Sequence, residues 1–164
     1  MPPRSAFFST GLAVALAVLA LDQSSKGWLI HGFRLGDGPP VEILPFLDIV
    51  LAWNPGISYS FFSAQGETGR LVLLGLVLAA TLFLLAWLWR AADKATALAL
   101  GLIVGGAVGN GCDRFIYGAV ADFLHVRLGG FSPWGVFNLA DVAIVAGVML
   151  LLYTSLFPQQ NAAA

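Results

Sequence analysis

A chain of 164 residues that is 59% hydrophobic and only 10% charged falls far below the roughly 25% charged residues of soluble domains, so a water-soluble fold is excluded. A net charge of −1 without a basic cluster argues against nucleic acid as a partner. The single cysteine, Cys112, excludes an intrachain disulfide, and with only His31 and His125, far apart in sequence, neither a metal nor another cofactor is expected.

A helix crosses the hydrocarbon core with about 20 apolar residues, and four segments approach that length. The first covers about 6–29, with GLAVALAVLAL followed by Asp22 and Lys26. Arg4 ahead of an apolar run also resembles the start of a secretory signal peptide, but no small-residue cleavage site follows and DQSSK extends the helix. About forty residues then lead to the second span, too many for a plain turn, and FLDIVLAW within them reads as a strand. The second span, about 71–89, is LVLLGLVLAATLFLLAWLW, uncharged and closed by Trp87, Trp89 and Arg90 as interface anchors. RAADK is a tight connection to the third, about 95–114, where Gly101, Gly105 and Gly109 recur on one face and mark a close helix contact. A second long connection, about 117–136, holds VADFLHVRL, which could also be extended, and the fourth span covers about 138–157. The expected fold is an all-α membrane protein, a single integral-membrane domain over 1–164 with four transmembrane helices and a small β element at the membrane surface. Both long connections fall on the same side. Arg4, Arg90 and Lys94 stand on one side against Lys26, Arg34, Arg70, Arg114 and Arg127 on the other, and two of the latter lie within helices, so charge counting leaves the orientation open.

The polar residues are few enough to take singly. Asn110, Asp113 and Arg114 follow one another at spacings of three and four, on one helix face near the membrane boundary. Asp113 could pair with Arg114, yet one carboxylate fixes only part of a five-donor fork, leaving donors for a peptide carbonyl or a lipid phosphate. Asp122, in VADF, is flanked by apolar residues. Asp141 opens the fourth span with Asn138 three residues before it, a helix N-terminus signature in its own right. Asp22 and Lys26 are spaced to neutralise each other, and Asn54 and Gly56 suit a turn. Two carboxylates at one membrane face, with no histidine or cysteine beside them, point to a dyad: one acts as base on a water while the other donates a proton.

In order, DQSSK, NPGISYSF, GGAVGNGCDR, VADF and FNLAD resemble the motif series of the bacterial lipoprotein signal peptidases, also called signal peptidase II. The resemblance runs from about Asp22 to Asp141. It implies an aspartic endopeptidase in the bacterial cytoplasmic (inner) membrane, multi-pass, with cytoplasmic termini and with the long connections, the β element and the active site toward the extracytoplasmic face. It further implies a diacylglyceryl-modified prolipoprotein as substrate, cut N-terminal to the lipidated cysteine, and membrane lipid around a monomeric enzyme. On the matching positions, Asp122 and Asp141 are catalytic, Asn54, Gly56, Asn110 and Arg114 position the substrate, and Asp22, Lys26, Asp113 and Asn138 support the site. The second motif is often followed by Ala-Ala-Phe; here Ile57, Ser58 and Tyr59 stand in its place, with the small and aromatic characters kept at Ser58 and Tyr59.

Two other classes compete. A proton or ion relay would need Asp22, Asp113, Asp122 and Asp141 spread over several depths. A non-catalytic assembly protein, built on the glycine stripe, would tolerate Asn at Asp122 and Asp141.

Overall fold

The computed structural model describes residues 4–56, 67–129 and 131–157. Four helices are long and apolar enough to cross a membrane: α1 (Arg4–Gly27), α2 (Glu67–Trp89), α3 (Lys94–Tyr117) and α4 (Leu139–Leu156). A wide helical turn, Trp28–Gly32, prolongs α1. The strands β1 (Val41–Leu44), β2 (Leu47–Asn54) and β3 (Val120–Val126) form one antiparallel sheet in the order β1-β2-β3. Both segments expected to be extended are strands, and they pair with each other.

The helices overrun the apolar runs that announce them. The second begins at Glu67 rather than near 71, because ETGR is too polar for lipid yet continues the helix, with Glu67 at the positive end of its dipole. The third runs on to Tyr117 rather than stopping near 114. Gly118, left-handed at φ 78°, ends it and closes its own N–H on the Arg114 carbonyl at 3.1 Å. At the other end of α3 the Asp93 side chain accepts from the Thr96 N–H at 2.8 Å.

Helix α3 is the centre of the bundle. More than half of its apolar window, 56%, is buried within the protein, against 17% for α1, 17% for α2 and 11% for α4. The glycine stripe explains this on one side: a Cβ on Gly105 would lie 2.6 Å from the Ala15 carbonyl oxygen, and one on Gly101 would strike that of Gly11, so the backbones of α1 and α3 touch. Gly106 makes the same approach to Ala140 of α4. Lipid offers apolar side chains no reason to leave it, so close backbone packing and polar ties must hold such helices together. Leu71, Leu76, Phe83, Val145 and Leu152 accordingly remain exposed outward from α2 and α4.

Two apolar clusters mark the two ends. Leu88, Ala91, Ala97 and Leu100 close the end where α2 turns into α3. At the other end Leu29, Leu35 and Phe123 are buried together, with Val41, Ile49 and Leu139 against them, and this cluster seats the sheet on the helices. Strand β3 follows α3 after a two-residue reversal, and β2 pairs Ala52 with Asp122 and Asn54 with Val120. The start of β3, the end of β2, the last turns of α3 and the first turn of α4 therefore meet at one junction.

Candidate active site

Asp122 is the third residue of β3, buried at the junction. Its Oδ2 accepts from Asn54 Nδ2 at 3.2 Å and its Oδ1 from Asn138 Nδ2 at 2.6 Å. The Asn54 amide is oriented by its own backbone, since its Oδ1 accepts the Gly56 N–H at 3.1 Å in an Asx turn, leaving only the amide nitrogen to face the acid. Burial pushes the Asp122 carboxyl up to about 6, and the Asp141 charge adds to that rise, while the Asn54 and Asn138 hydrogen bonds and the Lys26 charge oppose it.

Asp141 sits in the first turn of α4 and is half-buried. Asn138 caps that helix through its side chain, which accepts the Asp141 N–H at 3.0 Å, while the Asp141 Oδ2 accepts the Asn138 N–H at 3.2 Å. This is a capping box, as the Asn-x-x-Asp spacing suggests. The cap does not exhaust the acid: its Oδ1 also accepts from Asn110 Nδ2 at 2.8 Å. Asn138 is thus bonded to both carboxylates at once.

Behind these groups lies a buried ionic knot. Lys26 Nζ stands 2.8 Å from Asp22 Oδ2 and 2.8 Å from Asp113 Oδ2, with all three side chains buried. It also donates to Asn110 Oδ1 at 3.2 Å, which together with Asn138 Nδ2 at 3.0 Å leaves the Asn110 amide only one orientation, nitrogen toward Asp141. Asp22 accepts the Ala140 N–H at 3.1 Å, satisfying a second free donor of α4, and Asp113 accepts the Ala121 N–H at 3.1 Å, fixing the strand beside Asp122. Gln23 donates to both Asp22 and Asp113. The Asp22–Lys26 pair is therefore real but shared, and Asp113 pairs with Lys26 instead of Arg114.

Arg114 points elsewhere. Its Nη2 donates to the Gly56 carbonyl at 2.8 Å and its Nη1 to the Asn110 carbonyl at 3.2 Å, while its buried Nε has no partner among the described residues. Asn54, Asn110, Arg114, Asp122 and Asp141 line one cavity of about 890 Å³ between the sheet, α3 and α4. Trp53 and Trp134 stand in its wall, and Val142, Ile144 and Val145 give it an aliphatic side along α4. The structure thus gathers all ten residues singled out in the sequence, with Asp22, Lys26, Asp113 and Asn138 bracing those that face the cavity. Ile57, Ser58 and Tyr59 lie outside the described residues. Gln23 lies inside DQSSK without an assigned role, and the sequence does not single out Trp53 or Trp134, the first standing next to Asn54 and the second three residues before FNLAD.

Four carboxyl groups and two cations share this junction, so a proton held by one acid is electrostatically favoured, and two acids in unequal settings can divide the roles of proton donor and base. The same crowding disfavours a relay, which needs carboxylates at several depths.

Residues 14–157 match the family model described as signal peptidase (SPase) II. A lipoprotein signal peptidase of Methylocella silvestris is 57% identical over 152 residues, covering 93% of this chain and 88% of that protein. Another, from Rhodopseudomonas palustris, is 50% identical over 149 residues, covering 89% of this chain and 91% of its own. Among solved structures, a bacterial membrane enzyme determined by the in meso method at 2.3 Å superposes with a TM-score of 0.80 at 25% identity, over 94% of this chain and 92% of that one.

Proposed function

The chain belongs to the signal peptidase II family, and on that premise we propose that it is an aspartic endopeptidase that releases the signal peptide from diacylglyceryl-modified prolipoproteins, cutting N-terminal to the lipidated cysteine. The observation that carries the reading is the pair of unequal carboxylates on one shared asparagine, both facing the same cavity.

Asp122, pushed up to about 6 by burial and by Asp141, is the natural holder of the shared proton. Asp141 takes the opposite role. It sits in the first turn of α4, where Asn110 Nδ2 and the Asn138 N–H hold its two carboxyl oxygens in place as acceptors. Asp141 removes a proton from a water, which attacks the scissile carbonyl, while Asp122 gives its proton to the carbonyl oxygen. The tetrahedral intermediate collapses as the leaving nitrogen takes the proton from Asp141, and the hydroxyl proton returns to Asp122. Water is the nucleophile, so no acyl-enzyme forms. Arg114 and the Asn54–Gly56 turn hold the peptide by its carbonyls. The valine-rich side of the cavity along α4 leaves the two acyl chains in an apolar setting while the peptide meets the acids.

The same reading places the sheet on the extracytoplasmic side of the bacterial inner membrane, both termini in the cytoplasm, and the enzyme as a monomer in lipid.

The test is cleavage of a diacylglyceryl-modified prolipoprotein by the purified, reconstituted protein, followed by gel shift. Asp122→Asn and Asp141→Asn should each lose about a thousandfold in rate at equal folding, whereas Asp37→Asn, at an exposed acid, should cut normally. Cleavage by either site variant near the wild-type rate would remove that residue from the dyad.

A further inference from the structure

Helix α2 supplies none of the described residues that line the cavity, yet its first turn carries an arginine. Arg70 is the fourth residue of α2, whose most apolar 18-residue stretch has a mean hydropathy of 2.7, the highest of the four helices. It is half-buried, and its guanidinium reaches across to α3. Nε donates to the Arg114 carbonyl at 2.9 Å and Nη2 donates to the Phe115 carbonyl. These two carbonyls belong to the last turn of α3, the end at which helix carbonyls run out of amide partners. The Gly118 N–H reaches the first of them.

A planar fork bonded to two successive carbonyls fixes the rotation of that turn as well as its height. A lysine, with one freely rotating point of charge, does neither as well. The turn so held carries Arg114, whose Nη2 sits on the Gly56 carbonyl and whose Nη1 sits on the Asn110 carbonyl. The two arginines form a series: Arg70 grips the backbone of Arg114, and Arg114 reaches from that backbone into the cavity.

We infer that Arg70 is a positioning residue for the peptidase reaction, acting through Arg114: by holding the last turn of α3 it aims the Arg114 guanidinium at the peptide. The inference rests on the reading of Arg114 as a holder of substrate carbonyls. It assigns to α2 a part in substrate binding that its absence from the cavity wall conceals.

The experiment is a double-mutant cycle in the reconstituted full-length protein with a diacylglyceryl-modified prolipoprotein, measuring kcat and KM together with the thermal midpoint in detergent. Arg70→Gln should lower kcat/KM about tenfold, mainly through KM, and should add less than about twofold in an Arg114→Lys background. Arg70→Lys should fall between Arg70→Gln and wild type. An equal loss from Arg70→Gln in both backgrounds would make Arg70 a plain staple between helices and overturn the inference, as would wild-type kinetics of Arg70→Gln. Wild-type kinetics of Arg114→Lys would instead remove the role of Arg114, and Arg70 would have nothing to aim. Should Arg70→Gln fail to fold, Arg70→Lys carries the same cycle, with coupling to Arg114→Lys expected and additivity overturning the inference.

Discussion

Asn54 donates a hydrogen bond to the Asp122 carboxyl, and a donor there favours the ionised acid. Replacing Asn54 with Leu removes that support, so the Asp122 proton becomes harder to lose. If Asp122 must carry the shared proton for cleavage, activity is present below its pKa and declines as the pH rises through it. The alkaline limb of kcat/KM should lie near the value of about 6 to which the acid is pushed, and Asn54→Leu should move that limb to higher pH while lowering the maximum. A limb that stays put, or moves down, would detach Asp122 from the donor role. The same scale shows why one residue can answer to two descriptions. The Asn-x-x-Asp spacing reads as a helix cap, and the cap is present; that Asp141 also accepts from Asn110 depends on an amide from another helix, which spacing does not announce. Asp113 is the clearest divergence. Its neighbour Arg114 is the obvious partner by sequence, whereas the fold brings Lys26 from α1 to 2.8 Å and turns Arg114 toward Gly56.

Each helix is legible from its apolar run, but its ends are set by capping and polar turns that hydropathy cannot weigh. ETGR at the start of α2 and FIY at the end of α3 are helical because Glu67 suits the dipole and Gly118 supplies the left-handed stop; Arg70 lies in the first of these extensions and Arg114 just before the second. The glycine stripe of α3 was readable as a contact, without its partner. That partner is α1, and at Gly105 a side chain would meet backbone rather than a flexible neighbour. Gly105→Leu should therefore cost about 3 kcal/mol or more, since overpacking against a fixed backbone leaves no cheap relaxation. Thermal unfolding in detergent reads this directly, with Gly75→Leu on the open side of α2 as a control that should leave the midpoint nearly unchanged.

At the scale of the whole molecule, Lys26 joins α1 to α3 and its two carboxylates join those helices onward, Asp22 to the start of α4 and Asp113 to β3. Removing the cation alone leaves two buried acids uncompensated, so Lys26→Met should destabilise the fold by about 3–5 kcal/mol. Adding Asp22→Asn and Asp113→Asn to it should recover much of the loss in a denaturation experiment. Which elements meet was less visible in the sequence than which residues the fold gathers. The motif order named the residues, but the pairing of β2 with β3, separated by two spans, follows from three-dimensional closure that no local pattern encodes. Asn138 both starts α4 and touches both carboxylates. On the proposed reading the dyad is split between β3 and the fourth span, so a ribosome-bound chain that has inserted only three spans holds one acid and lacks the other. On that reading the site stays incomplete until the fourth span docks, and the event that completes the bundle also completes the dyad.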